Sequence, residues 1–280
     1  MTHLSAGTLA QVACLMEATA RKPGNVHRFA DFEDASYLDF ALSAQAIGPA
    51  MDSAGEIGVG RTVLAAVEAT RRVVSTNTNL GMILLLAPMA AAHGASDGAV
   101  AHVLDTLSIE DARHVYRAIR LAEPGGLGAS SDQDVREEPT VTLLDAMRMA
   151  ADRDLVARQY ATGYAEVFGV ALPALRDGLA GGLALEAAII RAHVVLLSKI
   201  PDTLIARKLG TAASEEASRA ASEALVSGDL DALDRHLRGD GHARNPGATA
   251  DLMAAALFAA LAEGTIGLPR PSGPGGWSGA

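Results

Sequence analysis

The sequence has little of several things, and each scarcity excludes something. There is one cysteine, Cys14, set in the apolar run Gln11-Val-Ala-Cys-Leu-Met16, so no intramolecular disulfide and no cysteine-rich metal site can form. A reducing compartment, the cytoplasm, is the expectation. Aromatic residues make up 4% of the chain and alternating β-branched runs are nearly absent, so local propensity favours helix almost everywhere. The formal net charge of −10 argues against a nucleic-acid partner, because counterion release needs clustered Lys and Arg. It leaves room for an anionic small molecule in a local basic pocket. Apolar runs such as Met82 to Ala92 are too short to span a bilayer, and the start shows no basic segment followed by an apolar one, so no membrane partner is expected. Walker loop, GxGxxG after a strand, GxSxG elbow and HExxH are all missing, and the eight histidines lack paired ligand spacing. A zinc enzyme is not expected. Carboxylates alternating with short polar residues favour instead a hard cation such as Mg²⁺, bound together with substrate phosphates.

What is present is alanine and leucine at helical spacing. The pattern predicts an all-α protein, with helices at roughly 6–20, 36–54, 58–74, 79–92, 97–104, 108–121, 140–151, 153–167, 172–178, 183–198, 201–208, 212–227, 229–239 and 246–262. Pro23-Gly24, Gly55 with Gly58, Gly181-Gly182 and Gly210 punctuate them, with no long linker between. One multihelical domain over 1–265 is expected, followed by a flexible tail over 266–280. The helix from Met82 to Ala92 is apolar all round, the pattern of a buried central helix, with a subunit interface in a homo-oligomer as the alternative.

Charge concentrates in a few junctions. Glu17 precedes Lys22-Pro23-Gly24, where proline ends a helix and glycine permits positive φ, freeing backbone groups for a ligand; an acidic stretch with Asp34 follows, and Asp34 or Ser36 can cap the next helix. Ser75-Thr-Asn-Thr-Asn-Leu-Gly81 places five short polar residues before an apolar helix, more than capping needs. Asp152-Arg-Asp154 with Arg158 forms a third junction. Asp202 follows Pro201 at a helix start, with Arg207 and Lys208 near the end of that helix. A glycine-rich basic loop runs into Asn245-Pro246-Gly247, with Asn245 as expected cap, Pro246 as first helical residue and Asp251 one turn in. The 75–81 junction alone tilts toward ligand contact; each of the others reads about as well as helix capping.

In this order the motifs resemble the triphosphoribosyl-dephospho-CoA synthase family over roughly residues 10–262: Glu17 before Lys22-Pro23-Gly24, an acidic segment before Ser43-Ala44, Asn77-Thr78 with Gly81, Asp202-Thr203 with Arg207, and Asn245-Pro246-Gly247 with Ala250-Asp251-Leu252. The resemblance implies a largely helical, ATP-dependent transferase that moves a triphosphoribosyl group from ATP to a hydroxyl of dephospho-CoA, with adenine leaving. It further implies catalytic carboxylates at Glu17, Asp34 and Asp202, phosphate or substrate contacts from Lys22, Gly24, Asn77, Thr78, Arg207 and Asn245, and Mg²⁺ at Glu17, Asp34 and Asp251. Where the family carries a His-Lys pair after Asn-Thr, this chain has Asn79-Leu80, and its acidic segment reads Phe32-Glu-Asp-Ala-Ser36, the mark of a divergent branch. Two alternatives stand beside this reading. One is ribosyl transfer, from ATP or phosphoribosyl pyrophosphate, to a pterin cofactor precursor of the tetrahydromethanopterin type. The other is a non-catalytic helical nucleotide-binding protein.

Overall fold

The computed structural model describes residues 4–92, 96–123 and 133–267. It is all-α, as the composition predicts; among the described residues the one β feature is an isolated bridge between His27 and Ala30. The 266–280 tail, beyond its first two residues, lies outside the described residues.

Two helices form the centre. Leu80–Ala91 (α6) is buried from Met82 through Ala90, as an apolar helix must be. Gly247–Ala262 (α16) is equally enclosed, with 13 of its 16 residues buried. Around this pair lie Ala6–Thr19 (α1), Val59–Arg71 (α5), Leu155–Thr162 (α10) and Leu185–Lys199 (α12). A smaller apolar cluster, including Val194, Ile205, Ala217 and Leu237, joins α12 to Thr203–Leu209 (α13), Thr211–Ser227 (α14) and Leu230–Arg238 (α15). Small alanine faces let these helices approach closely.

Capping sets most boundaries. Ser36 starts Tyr37–Ala46 (α2) in a capping box with Asp39, settling the choice between Asp34 and Ser36. The single helix expected over 36–54 is instead α2 followed by the short Gly48–Asp52 (α3) and Ala54–Ile57 (α4), because Pro49 and the Ser53 turn interrupt the hydrogen-bond ladder. The helix expected over 153–167 stops at Thr162, where Gly163 and Tyr164 both adopt positive φ (65° and 64°) before a π-turn at Val167–Ala171. A tyrosine in the left-handed region needs outside support. Tyr164 has it: its buried hydroxyl donates to the Leu85 carbonyl at 2.8 Å.

Pro88 lies inside α6 and has no N–H for the carbonyl of Leu84, four residues back. The Tyr160 hydroxyl donates to that carbonyl at 2.6 Å, so a tertiary bond replaces the helical one. Burial pushes the ionisation of both tyrosines far up, which keeps these hydroxyls as donors.

Candidate active site

The N-terminal ends of α6, α13 and α16 converge on one cavity of about 480 Å³, contributing Leu80 and Gly81, Thr203 and Leu204, and Gly247 and Ala248 to its wall. Helix N-termini carry partial positive charge, so their convergence favours an anion, and a carboxylate of the protein already takes part of it. The convergence has a visible cause in Asp202. Its Oδ1 accepts from the backbone N–H of Leu204 (2.8 Å) and Ile205 (3.2 Å), capping α13. Its Oδ2 accepts from the N–H (2.7 Å) and hydroxyl (2.8 Å) of Thr249 in the first turn of α16. One buried carboxylate thus ties two helix starts together. Burial raises its pKa, and the donors from Thr249, Ile205 and Leu204 oppose the shift.

The structure brings Glu17, Asp34, Asn77, Thr78, Arg207, Asn245 and Asp251 to this cavity, and it places Lys22, Gly24 and Asp202 off its wall. Lys22 is wholly buried behind Glu17, with its ammonium 2.8 Å from Glu17 Oε1 and donating to the carbonyls of Glu17 and Ala20. Pro23 and Gly24 turn the chain so that this can happen: Gly24 has φ 76°, and an added Cβ would meet Leu237 at 2.7 Å. The Gly24 N–H is taken by Asp234 Oδ1 at 2.8 Å. Glu17, 2% exposed, has its pKa raised by burial and lowered in opposition by the charge and hydrogen bond of Lys22.

Asp251 sits against the first turn of α6, where Gly81 makes room for it. A Cβ at Gly81 would stand 2.0 Å from Asp251 Oδ2. Among the described residues no hydrogen bond reaches this carboxylate. Its pKa is driven well up by burial first and then by the charges of Glu17, Asp202 and Asp154, with Arg207 opposing. Asp34 stands at the mouth, 61% exposed and 3.6 Å from His242 Nε2.

The polar junction before α6 divides its labour. Asn77 Oδ1 caps the Leu80 N–H at 3.2 Å, Thr78 pairs with Ser43 of α2 at 2.5 Å, and Asn79 Nδ2 donates to Thr70 of α5 at 3.2 Å. The residues fix the loop between three helices while Thr76 to Asn79 face the cavity. At the start of α16 the structure moves the cap by one residue: Pro246 is the N-cap and Gly247 the first helical residue. Asn245 accepts instead from Asn25 Nδ2 at 2.6 Å.

Asn25 is the site residue that sequence reasoning missed. It is 5% exposed, lines the cavity, and its Oδ1 is buried without a partner. A buried amide oxygen left unpaired is costly, which singles Asn25 out among the residues that line the cavity. Its signal was its position directly after Pro23-Gly24. Lys208, His242 and Asp154 also line the cavity. Among the described residues the wall then carries five carboxylates, Glu17, Asp34, Glu123, Asp154 and Asp251, against two basic side chains, Arg207 and Lys208. Among the described residues no three Asp, Glu, His or Cys side chains converge as a metal cage, so the Glu17, Asp34, Asp251 triad is not brought together as one.

The family model for ATP:dephospho-CoA triphosphoribosyl transferase (CitG) matches residues 3–269. The crystal structure of a protein from Archaeoglobus fulgidus, assigned provisionally as a triphosphoribosyl-dephospho-CoA synthase, is similar at 29% identity and TM-score 0.66, over 79% of this chain and 98% of that one. No curated protein matches. With nearly the whole chain matched and its polar junctions gathered at one cavity, the chain belongs to the ATP:dephospho-CoA triphosphoribosyl transferase family.

Proposed function

We propose that this protein transfers the triphosphoribosyl group of ATP to the 2′-hydroxyl of 3′-dephospho-CoA, with the chemistry in the cavity between α6, α13 and α16. The observation that carries the reading is the convergence of helix N-termini and Lys208 beside two carboxylates, the buried Glu17 and the half-buried Asp251, in one cavity. The bond from ribose C1′ to adenine N9 breaks and its electron pair leaves with adenine. The acceptor oxygen bonds to C1′, and its proton passes to a carboxylate. Positive charge develops at C1′ along the way, as in glycoside transfer. Glu17 suits both needs, since the Lys22 ammonium favours its ionised form despite burial. Lys22 then acts on Glu17 rather than on phosphate. Lys208 and the helix starts offer positive charge to the triphosphate, and Asn25 and Asn245 offer hydrogen bonds.

Mg²⁺ fits this cavity as a companion of the substrate. Five carboxylates facing two cations would repel a bare triphosphate, and Asp251, lacking a hydrogen-bond donor among the described residues, is the protein group whose buried charge a dication would relieve. Bound there it would neutralise phosphate charge.

The test is chromatography of adenine from Mg-ATP with and without dephospho-CoA. Adenine should form only with the acceptor, and Glu17→Gln should slow it by about 100-fold or more. Release of phosphate or pyrophosphate in place of adenine would overturn the reading, and adenine release supported by a pterin precursor alone would move it to the other acceptor class. Glu17→Gln also strands the Lys22 ammonium, at about 3–5 kcal/mol. The double variant Glu17→Gln/Lys22→Met should recover most of that stability in urea unfolding and remain inactive.

A further inference from the structure

A second cavity of about 780 Å³ adjoins the first. The two share Leu84, Ile119, Asp154, Val156, Thr203 and Arg207, so the Arg207–Asp154 ion pair (3.4 Å) stands on their common wall. The balance shifts toward apolar side chains across that pair. On the near side are the carboxylates and amides of the candidate active site; on the far side Val115 of Ile109–Ala122 (α8) stands with Leu143, Ala146 and Met147 of Leu143–Ala150 (α9), in a lining that also carries Gln133, Asp134, Asp152, Arg153 and Arg158. Helical cores pack to near-crystalline density, so a space of this volume is a site and not a packing fault. Methionine at its wall, Met147 with Met149, suits a flexible occupant.

The chemistry of the two substrates decides which of them enters. ATP is charged at one end and a flat base at the other, and its reacting carbon belongs among the carboxylates. Dephospho-CoA is an adenosine whose 5′-diphosphate continues into a long, flexible pantetheine arm, in which a gem-dimethyl group and methylenes alternate with a hydroxyl, two amides and a thiol. Its 2′-hydroxyl must reach the donor in the first cavity, its diphosphate lies a few bonds away, and the arm lies beyond. Carboxylate-lined cavity, guanidinium at the junction and a second cavity of mixed apolar and polar lining follow the same order. We infer that the cavity beside α8 and α9 receives the pantetheine arm of the acceptor, with Arg207 holding the diphosphate at the junction. The inference rests on the proposed reaction and adds to it a determinant of acceptor choice.

ADP is the acceptor cut off at the diphosphate, so the wild-type protein itself provides the first comparison. With ATP saturating, KM for ADP as acceptor should exceed that for dephospho-CoA by about tenfold or more, the contribution of the buried arm. Ala146→Trp, which fills the cavity, should raise KM for dephospho-CoA by a similar factor and close the gap between the two acceptors. Equal use of both by the wild type overturns the inference, as does an Ala146→Trp variant that raises KM for ATP and ADP as much as for dephospho-CoA. Should the wild type release no adenine with any acceptor, the reaction reading fails, and calorimetric titration with 4′-phosphopantetheine then decides the cavity separately. Binding by the wild type that Ala146→Trp abolishes upholds the assignment, and no binding by the wild type overturns it.

Discussion

At the scale of single residues, position in the sequence and role in the site diverge most. Gly81 looks like a helix-start glycine, yet its missing Cβ is what admits the Asp251 carboxylate. Gly81→Ala should displace that carboxylate by an ångström or more and lower turnover by roughly 100-fold, since a shift of about 1 Å in a catalytic group has that effect. Its unfolding free energy should change little, because alanine favours a helix; an active Gly81→Ala would remove Asp251 from the mechanism. Lys22 and Asp202 show the opposite. Both carry the family resemblance, and both are buried away from the cavity, one holding Glu17 and the other two helix starts. A motif marks a residue that the site needs, but its spacing does not say whether the side chain meets the ligand or the group behind it.

At the scale of elements, amphipathic period and caps made the helices legible. Ser36, Ser108, Asp154 and Asp202 all cap helices whose starts the sequence predicts within a few residues. What local pattern could not supply was the tertiary repair of α6. Pro88 reads as a helix breaker, and the helix continues because Tyr160, 76 residues away in the chain, bonds the carbonyl that proline leaves open. Tyr160→Phe should therefore cost about 1–3 kcal/mol, the penalty of an unpaired buried carbonyl. In a Pro88→Ala background, where the helix supplies its own N–H, the same change should cost markedly less. Urea denaturation of the four proteins measures this coupling, and additive effects would refute it.

At the scale of the whole molecule, enclosure by the packed helices governs response to pH. His193 on α12 is fully buried with both ring nitrogens unpartnered, and burial first, then the charge of Lys22, drives its pKa well below the ordinary value. The unfolded chain binds a proton near pH 6.5 and the folded chain does not, so this group's contribution is intact above that pH and is lost as pH falls through it. Between pH 7.5 and 5.5 the loss should be about 1 kcal/mol. Comparing wild type with His193→Leu isolates it, because the raised pKa values of Glu17 and Asp202, which act in the opposite sense at lower pH, are common to both. An identical pH dependence in the two proteins would show that His193 does not contribute.

By itself the sequence determined the helical class, the position of most helices and the identity of the polar junctions, because these depend on interactions within a few residues. Tertiary packing alone decided that α16 shares the centre with α6, that Asn25 lines the cavity with its amide oxygen buried and unpaired, and that a second cavity adjoins the first. Those outcomes depend on contacts between segments far apart in the chain, such as Asn25 with Asn245 or Asp202 with Thr249, which local propensity and motif spacing do not encode.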